Sequence, residues 1–353
     1  MVFDVPAEHG GALSILHEFY NEVKSYDDKQ IKWFFILSKP KLHESENIKV
    51  LRFPWIKKSW MHRLFFDYLI APRLVKKYKV DKIISFQNVM IPKTKVPQVI
   101  YVHQSLPFVK YKFSFKENRL LWVYQNIIGR SITNSMKKAQ RVIVQTEWMR
   151  EACLQKAKLK KENIIVVPPQ FEITVKKYFV PNKKSCSTFF YPAGPAKYKN
   201  HGIIIEACKI LQQKYSGEFK IIFTLNGDEN DHICNIRNEV KSFKLPVEFK
   251  GTMKRERVFD MYTNSVLLFP SYIETYGLPL LEAMMHKGFI LASDLPFANE
   301  VLDGYPNVDF FDPFNKDDLA EKIYRILNND SNYTKQNYKI NNQTNFKRII
   351  DYI

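Results

Sequence analysis

Short apolar runs alternate with amphipathic stretches along most of the chain. In the first half, runs rich in β-branched and aromatic residues predict strands, and these runs are "VFDVP", "IKWFFILS", "DKIISF", "QVIYVH", "RVIVQT" and "NIIVVPP". Between them, stretches such as "GALSILHEFYNEV" and "LLWVYQNIIGRSITNSMKKA" have the apolar spacing of helices. Strands that alternate with helices in this way predict an α/β fold with a parallel sheet.

The segment "QFEITVKKYFVPNKKSC" interrupts this alternation because it has little helical periodicity. A second alternation then runs from "TFFYPA" to "DDLAEKIYRILNN", and a chain of 353 residues is long for one core. We therefore predict an N-terminal domain over residues 1–172, a linker over 173–186, a C-terminal domain over 187–335 and a helical tail over 336–353 that packs back on the first domain. Two such domains leave a cleft between them, where ligands usually bind.

The composition is that of a globular protein, with 45% hydrophobic and 14% aromatic residues. The longest apolar runs, such as "SVLLFP", are too short to span a bilayer, and "MVFDVPAEHGG" lacks the basic and then apolar segments of a signal peptide. Four cysteines without CxxC spacing favour free thiols over disulfides or a zinc site. These features predict a protein of the cytoplasm.

The net charge of +18 is concentrated in one part of the chain. Residues 51–200 hold 30 Lys and Arg against seven Asp and Glu. In the densest part, "IKKSWMHRLFFDYLIAPRLVKKYK", apolar residues recur at helical spacing from Trp60 onward, beside Lys57, Lys58 and Arg63. This pattern suits peripheral contact with an anionic membrane surface, at the inner face of the cell membrane. It also suits a core-packing helix with solvated lysines. No recognisable nucleic-acid motif is present, so we predict no nucleic-acid partner.

The stretch "ETYGLPLLEAMMHKG" predicts a ligand site at a helix start. A strand over 266–269 is followed by a loop and a helix, with Pro279 as the first helical residue and Gly288 as the stop. The start of this helix lies at the carboxyl end of a parallel strand, and its free N–H groups favour an anion such as a phosphate.

Two carboxylates lie on either side of this anion position. Glu274 lies in the loop, and Glu282 lies inside the helix. Gly277, between them, lets a ligand approach the backbone without a clashing Cβ. A carboxylate is well suited to a pair of neighbouring hydroxyls, so the stretch fits a polyol, a phosphate and a second polyol in a row. A nucleotide-sugar has that chemistry.

The same residues resemble a known motif. Glu-x7-Glu after "FPS", continued by "YGLPLLEAM", is similar to the donor-site motif of the retaining GT-B glycosyltransferases of family 4. The similarity includes "VEFKGTMKRERVFDMYTNS", "ILASDLPFANEVLDG" and "FFDPFNKDDLAEKI", and covers roughly residues 188–328 well and the first half more loosely. It implies two Rossmann-like doubly wound domains that face a central cleft. It also implies transfer of a sugar from a nucleoside diphosphate to an acceptor hydroxyl, with retention at the anomeric carbon.

The resemblance assigns roles to the residues of the second half that match the motif. Glu274 faces the hydroxyls of the donor sugar and positions the donor, and Glu282 binds the ribose. Gly277 and Leu278 offer N–H groups to the pyrophosphate, with Tyr276 also in the donor pocket.

Further donor-binding residues follow from other matched positions. Thr252 lies in the matched segment "FKGTMK", and Lys199 in "YPAGPAKYKNHG" matches a lysine that contacts the pyrophosphate. The family often has an arginine where this chain has Pro195, and Lys197 is its substitute here, with a point charge in place of a bidentate fork.

In the first half, the resemblance is carried by two shorter stretches. Gly10 and Gly11 of "EHGGALSI" match the glycine-rich loop after the first strand, which approaches the donor phosphates. His103 of "VIYVHQSLPF" matches a histidine that lines the donor pocket and is counted with Glu274 among the catalytic residues.

No metal or other cofactor is expected, with the nucleotide-sugar as co-substrate. The chain has no HExxH or DxD motif, and Asp228 and Asp231 of "NGDENDH" are interpreted as a surface loop. The phosphate charge is met by Lys199, the helix dipole and backbone amides. In the family's usual mechanism, the departing phosphate oxygen takes the proton of the acceptor.

The basic first half suits an acceptor that a membrane lipid carries through a pyrophosphate, as in bacterial surface polysaccharide synthesis. Three other functions stay open at this point. Glu274 and Glu282 are also compatible with the acid pair of a glycoside hydrolase. Pro195 and the short first strand leave room for a basic membrane-binding protein on a catalytically impaired GT-B scaffold. A sugar-nucleotide epimerase on the same fold is a further alternative.

Overall fold

The computed structural model describes residues 1–8, 10–26, 28, 30–170, 174–330, 333–334 and 347–353. The chain forms two compact units, one of Met1–Phe171 with Asn345–Ile353 and the other of Glu172–Thr344. Each unit contains one parallel sheet with helices between its strands, so the prediction of two parallel-sheet α/β domains is confirmed. Most of the predicted tail, residues 336–346, lies outside the described residues.

The first unit is built on seven parallel strands in the order β3-β2-β1-β4-β5-β6-β7. Their bounds are β1 Val2–Asp4, β2 Trp33–Leu37, β3 Ile48–Arg52, β4 Ile83–Ser85, β5 Gln98–Tyr101, β6 Arg141–Val144 and β7 Ile164–Val166. Six of these are the strands that the apolar runs predict. The prediction lacked β3, which lies at the edge of the sheet and is only partly buried, so its sequence "IKVLR" is not a continuous apolar run.

Six helices accompany this sheet: α1 Gly10–Ser25, α2 Trp60–Phe65, α3 Ala71–Lys77, α4 Arg119–Val123, α5 Gly129–Lys138 and α6 Glu147–Ala157. A π-helical turn, Phe66–Ile70, joins α2 to α3, and a second one, Tyr124–Ile128, joins α4 to α5. Each of these two pairs is therefore one interrupted helix. Short 3-10 helices span Pro54–Lys58, Lys161–Asn163 and Ile349–Tyr352.

Both faces of this sheet are covered, as strands with alternating side chains require. Val2 of β1 belongs to a cluster on the α1 side, with Phe19. Phe3, the next residue, belongs to a cluster on the other side, with Phe66 and Val75 of the interrupted helix α2–α3. The order of the chain reverses between β1 and β4, which makes the carboxyl ends of these two strands the usual ligand edge.

Two glutamates of α1 hold the last described segments of the first unit. The backbone N–H of Gln170 donates to the Glu18 carboxylate, and the N–H of Ile350 donates to Glu22 at 3.0 Å. Ile349 and Ile350 join the apolar cluster beside α1. Burial raises the pKa of Glu18 to about 8, with a further increase from neighbouring Glu22, while the Gln170 hydrogen bond opposes both.

Replacement Glu18→Gln will change how stability depends on pH. The folded state holds the proton of Glu18 more tightly than the unfolded chain, whose ordinary pKa is 4.5. The stabilisation of the wild type is complete below pH 4.5 and is lost as the pH rises toward 8. We expect the variant to equal the wild type near pH 4 and to be more stable near pH 9 by about 1–3 kcal/mol, a range discounted for the partial exposure of Glu18.

The measurement is the free energy of urea unfolding of both proteins across this pH range. Exposed Glu321, replaced by Gln, is the matched control, and its profile is expected to run parallel to that of the wild type. A Glu18→Gln profile parallel to the wild type as well would contradict the assignment.

The second unit has six parallel strands in the order β10-β9-β8-β11-β12-β13, the order of a Rossmann sheet. The strands are β8 Thr188–Tyr191, β9 Lys220–Phe223, β10 Val247–Phe249, β11 Val266–Phe269, β12 Ile290–Ser293 and β13 Val308–Phe311. The helices are α7 Lys183–Cys186, α8 His201–Lys214, α9 Asp231–Ser242, α10 Arg255–Asn264, α11 Leu278–Met285, α12 Pro296–Val301 and α13 Lys316–Leu327, with a 3-10 helix Lys197–Lys199.

Local sequence explains several helix starts. The side chains of several residues accept hydrogen bonds from first-turn N–H groups, among them Asn118, Thr146, Asn230 and Asn315. The cap at Asn230 corrects one prediction, because Asp231 is the first residue of α9 and does not lie in a loop. All four cysteines are free. Among the described residues, no helix is both long enough and apolar enough to cross a membrane.

Candidate functional site

The candidate site of the second unit lies at the carboxyl ends of β8 and β11. β8 has β9 on one side and β11 on the other, so the order of the strands reverses at β8. Segments that leave the carboxyl ends of two such strands open a crevice, and this crevice is the usual ligand position of open α/β sheets. The two segments here are residues 192–200 after β8 and residues 270–277 after β11.

An ion pair between Lys199 and Glu274 connects these two segments. The Lys199 ammonium donates to the Glu274 carboxylate, and the two side chains are only 21% and 15% exposed. Burial by itself lowers the pKa of Lys199, but the negative charge of Glu274 outweighs it, so the pKa is raised. Lys199 is therefore a fixed cation at the point where the resemblance expects a pyrophosphate.

Backbone contacts hold this lysine in place. The hydroxyl of Tyr191, the last residue of β8, donates to the Lys199 carbonyl at 2.6 Å. Asn200 has a left-handed backbone with φ of 62° and donates its side-chain amide to the Pro270 carbonyl at 3.2 Å. These two hydrogen bonds restrict the loop after β8, so that Lys199 and Glu274 are positioned by rigid neighbours.

The start of α11 lies directly beyond Glu274. Gly277 is its N-cap with φ of 85°, and a Cβ on this residue would approach Leu280 Cδ1 to 3.0 Å. The helix begins at Leu278, one residue earlier than predicted, and Pro279 is its second residue. This start leaves the backbone N–H of Leu278 outside the hydrogen bonds of the helix, as an anion site requires.

The end of α11 also differs from the prediction. The helix ends at Met285, before the predicted stop at Gly288, and Lys287 has a left-handed backbone with φ of 56°. Gly288 instead packs against the helix, where its N–H donates to the Ala283 carbonyl at 2.9 Å. A Cβ on Gly288 would lie 3.1 Å from that carbonyl oxygen, so close packing is the reason for a glycine here.

Glu282 is held by two residues of α10 that sequence reasoning missed. Its carboxylate accepts from the Tyr262 hydroxyl at 3.0 Å and from an Arg255 guanidinium nitrogen at 3.3 Å. Burial raises the pKa of Glu282, while Tyr262 and Arg255 oppose that rise. The two contacts fix the direction of the carboxylate. The sequence contained no sign of them, since 20 and 27 residues separate the partners.

The other predicted residues of the second unit surround this centre less tightly. Thr252 is exposed in the loop between β10 and α10, just before Arg255. Tyr276 is buried and Leu278 is half-buried. Lys197 is the first residue of the 3-10 helix that ends at Lys199.

Pro195 has a structural partner, because the Asn230 side-chain amide donates to its carbonyl at 3.1 Å. This contact connects the loop after β8 to the residue that caps α9.

In the first unit, the predicted residues lie at the carboxyl edge of its sheet. Gly10 has φ of 63° and begins α1 together with Gly11, and a Cβ on Gly10 would meet nothing within 4 Å. His103 follows β5, and its backbone N–H donates to the Asn88 side chain at 2.8 Å. Burial lowers the pKa of His103 to about 4, so the imidazole is neutral at physiological pH.

Two of the cations expected at a membrane instead make contacts within the protein. Lys57 donates to the Pro6 carbonyl at 3.0 Å, and Arg63 pairs with Asp67 at 2.6 Å. Both also oppose the rise in the pKa of Asp4 that its complete burial causes. Their charges therefore compensate buried Asp4 at the end of β1, and Arg63 also compensates Asp67. Lys58 is exposed, and Trp60 is 56% exposed.

Two family models match the chain. Residues 176–344 match the model described as Glycosyl transferases group 1, and residues 31–172 match the model described as Glycosyltransferase Family 4. Both models describe glycosyltransferases, and between them the two matches cover most of the chain. A curated relative of the chain is the O-antigen chain mannosyltransferase RfbU of Salmonella typhimurium strain LT2, which is 23% identical over 240 residues. The match covers 67% of this chain and 63% of RfbU, so it spans less than two thirds of that relative.

Solved structures share the fold. Sucrose-phosphate synthase of Thermosynechococcus elongatus aligns over 93% of this chain and 89% of its own, with a TM-score of 0.68 and 15% identity. Anabaena Alr3699/HepE in complex with UDP-glucose covers the same shares with a TM-score of 0.64 and 16% identity. At this identity the likeness establishes the GT-B fold that the motif implied.

Proposed function

We propose that this chain transfers a sugar from a nucleoside diphosphate to an acceptor hydroxyl, with retention at the anomeric carbon. The observation that carries the proposal is the placement of a fixed cation, Lys199, and two carboxylates, Glu274 and Glu282, around the start of α11. A cation and free N–H groups suit a diphosphate, and carboxylates suit the hydroxyls of a sugar and a ribose on either side of it.

Each of these groups has a separate task in the proposed reaction. Lys199 and the N–H groups at the start of α11 stabilise the negative charge that grows on the departing diphosphate. Glu274 orients the donor sugar and shares the Lys199 ammonium with the diphosphate. Neutral His103 supplies a hydrogen bond to the sugar and adds no charge. The departing phosphate oxygen takes the proton of the acceptor, so the step requires no protein nucleophile.

The names of two relatives support this assignment of substrates. HepE is described in complex with UDP-glucose, which is a nucleotide-sugar. RfbU is described as an O-antigen chain mannosyltransferase, a name that refers to a chain of the O-antigen. We propose for this chain a nucleotide-sugar donor and a lipid-linked or polysaccharide acceptor of bacterial surface glycan synthesis, reached by peripheral binding to the inner face of the cell membrane.

The alternatives meet specific objections. A glycoside hydrolase acts on a neutral glycan and has no use for Lys199 at the start of α11. A purely structural scaffold has no need for the contacts with Tyr262 and Arg255 that hold the buried Glu282 carboxylate in one direction.

The test is a set of reactions with purified protein, UDP-, GDP- and ADP-sugars, and a detergent-solubilised glycolipid acceptor. We expect release of one nucleoside diphosphate that requires the acceptor. We also expect the product, followed by NMR, to have the anomeric configuration of the donor. Isomerisation of the sugar without an acceptor would identify an epimerase, and an inverted product would exclude retention. Absence of release with every donor would contradict the proposed transfer.

A further inference from the structure

A groove of about 500 Å³ in the first unit is lined almost entirely by basic and apolar side chains. Five cations surround it, contributed by α3, by the turn that follows α3 and by the segment before β5. These cations are Arg73, Lys76, Lys79, Lys93 and Lys95. Val75, Val80 and Val96 form its apolar wall, and no acidic residue lines it.

The groove lies at the edge of the sheet opposite to Gly10 and His103. Lys79 precedes β4 and Lys95 precedes β5, so the groove adjoins the amino ends of these two strands. Gly10 and His103 follow the carboxyl ends of β1 and β5. Because all strands of the sheet are parallel, these are opposite edges, and the groove is separate from the candidate donor residues.

The charge of the groove is not compensated within the part of the chain that the structure describes. All five cations are exposed, and no ion pair involves any of them there. The helix dipole stabilises a cation at the end of α3, which explains the charge of Lys76. Lys79, Lys93 and Lys95 lie outside the helix, so the dipole does not explain their charges. Like charges around one cavity raise the local concentration of an anion. Ammonium and guanidinium groups are the usual partners of phosphate oxygens.

An exposed apolar stripe leads along the same interrupted helix to this groove. The stripe consists of Trp60, Met61, Leu64, Phe65, Tyr68 and Leu69, which are between 37% and 79% exposed. Their spacing of one, three and four residues continues into Pro72, Arg73 and Lys76 of the groove. The Lys93 ammonium lies 5.9 Å from the centre of the Tyr68 ring, so stripe and groove adjoin.

The combination identifies the chemistry of the occupant. Apolar side chains next to basic ones along one helix are suited to a bilayer interface, where the former enter the acyl boundary and the latter meet headgroups. The interrupted helix from Trp60 to Lys77 is about 27 Å long at 1.5 Å per residue, which is enough to lie along a membrane surface. Nucleic acid matches the charge of the groove but offers nothing to the apolar stripe.

We propose that the groove binds the phosphate of anionic phospholipid headgroups while the apolar stripe enters the membrane interface. The inference deepens the proposed function and rests on it for the membrane as the source of the phosphate. It moves the headgroup contact from Lys57 and Arg63, which compensate acids within the protein, to the cations of the groove.

The experiment measures sedimentation of the full chain with vesicles of phosphatidylcholine alone or mixed with phosphatidylglycerol. The variant Arg73→Gln/Lys76→Gln/Lys95→Gln removes three groove cations and avoids Lys79 and Lys93, which have a left-handed backbone. We expect its partition coefficient on the anionic vesicles to fall on the order of a hundredfold, since each nearby basic residue contributes about 1 kcal/mol.

The matched control is Lys177→Gln/Lys214→Gln/Lys241→Gln, which removes the same charge from exposed lysines of the second unit. We expect it to bind vesicles almost as the wild type does, because it leaves the groove and the apolar stripe unchanged. Equal losses of vesicle binding in both triple variants would show that net charge alone drives the binding. This result would contradict the proposed role of the groove. If the groove variant binds anionic vesicles as well as the wild type does, the proposal is also wrong.

Two further measurements separate the possible sources and the possible failures. If inorganic phosphate stabilises the wild type but not the groove variant, and vesicles do not bind, the ligand is a free phosphate and the headgroup assignment is wrong. Stabilisation by nucleoside diphosphates is expected to be the same in the groove variant and the wild type. A result that contradicts the groove proposal can therefore be distinguished from one that contradicts the donor site.

Discussion

Replacement Lys199→Met will lower kcat/KM for the proposed transfer on the order of a thousandfold. The loss of one preorganised group that stabilises developing negative charge costs about 2.7–4 kcal/mol in comparable sites. Lys199 is such a group, because Tyr191 holds its backbone and Glu274 keeps its ammonium charged at the start of α11. The measurement is kcat/KM for acceptor-dependent release of nucleoside diphosphate, with the donor identified in the panel above.

A second lysine of the same unit is a matched control. Lys322 pairs with Asp309 at 2.7 Å and is 21% exposed, the same fraction as Lys199, but it lies on α13 and not in the segments after β8 and β11. We expect Lys322→Met to retain most of the kcat/KM of the wild type, because it leaves the segments after β8 and β11 unchanged. Equal losses in both variants would indicate a general effect of removing an ion pair.

The loss of Lys199 also affects stability, and activity must be compared below the melting temperature of the variant. Without its cation, the Glu274 carboxylate stays 15% exposed and unpaired. Breaking a fully buried pair costs about 3–5 kcal/mol, and partial exposure reduces this cost. Lys199→Arg restores the charge and separates the two effects, because it is expected to recover stability before it recovers activity.

Replacement Glu282→Ala will abolish the stabilisation of the protein by nucleoside diphosphates. A ligand at a hundredfold excess over its Kd adds about 2.7 kcal/mol to the stability of the wild type. Hydrogen bonds to a charged group are worth about 1.5–3 kcal/mol each, and a ribose offers two hydroxyls to this carboxylate. We expect the Kd of the diphosphate to rise at least a hundredfold, measured by calorimetry and by thermal shift.

The pH dependence of this affinity provides a sharper test. The raised pKa of Glu282 means that its carboxylate becomes protonated as the pH falls, starting above the ordinary value of 4.5. A protonated carboxyl accepts fewer hydrogen bonds, so diphosphate affinity should fall with it. Glu282→Gln should bind weakly at every pH, without this fall. Tyr262→Phe keeps the carboxylate and should keep most of the affinity. Unchanged diphosphate binding by Glu282→Ala would contradict the ribose role.

The local sequence predicted the candidate site as far as residues close in sequence form it. Glu274, Gly277 and Leu278 lie within five residues of one another, so the loop after β11 and the start of α11 bring them together. The prediction placed the helix start one residue late and the stop at Gly288, whereas the helix ends at Met285. Such errors are expected, because helix ends depend on single hydrogen bonds that neighbouring loops can change.

Contacts between distant segments could not be predicted in the same way. The Lys199–Glu274 pair joins residues 75 positions apart, and the resemblance indicated both residues but not their contact. Arg255 carries no mark in the sequence that assigns it to Glu282. For Lys57 and Arg63 the charge was visible, but the burial of Asp4, whose charge they compensate, was not.

The sequence by itself determined the two α/β units, the family and the carboxylates at the start of α11. It did so because strand and helix periods, turn residues and a local motif are properties of neighbouring residues. Only the tertiary structure decided which charges are neutralised within the protein and which stay available to a ligand. That outcome depends on which strand ends and helix faces the sheet order brings together, and on how much water burial removes from each charged group. For this reason Lys199 is held in an ion pair at the candidate site and Arg63 is paired within the protein, whereas the cations of the groove beside α3 are exposed.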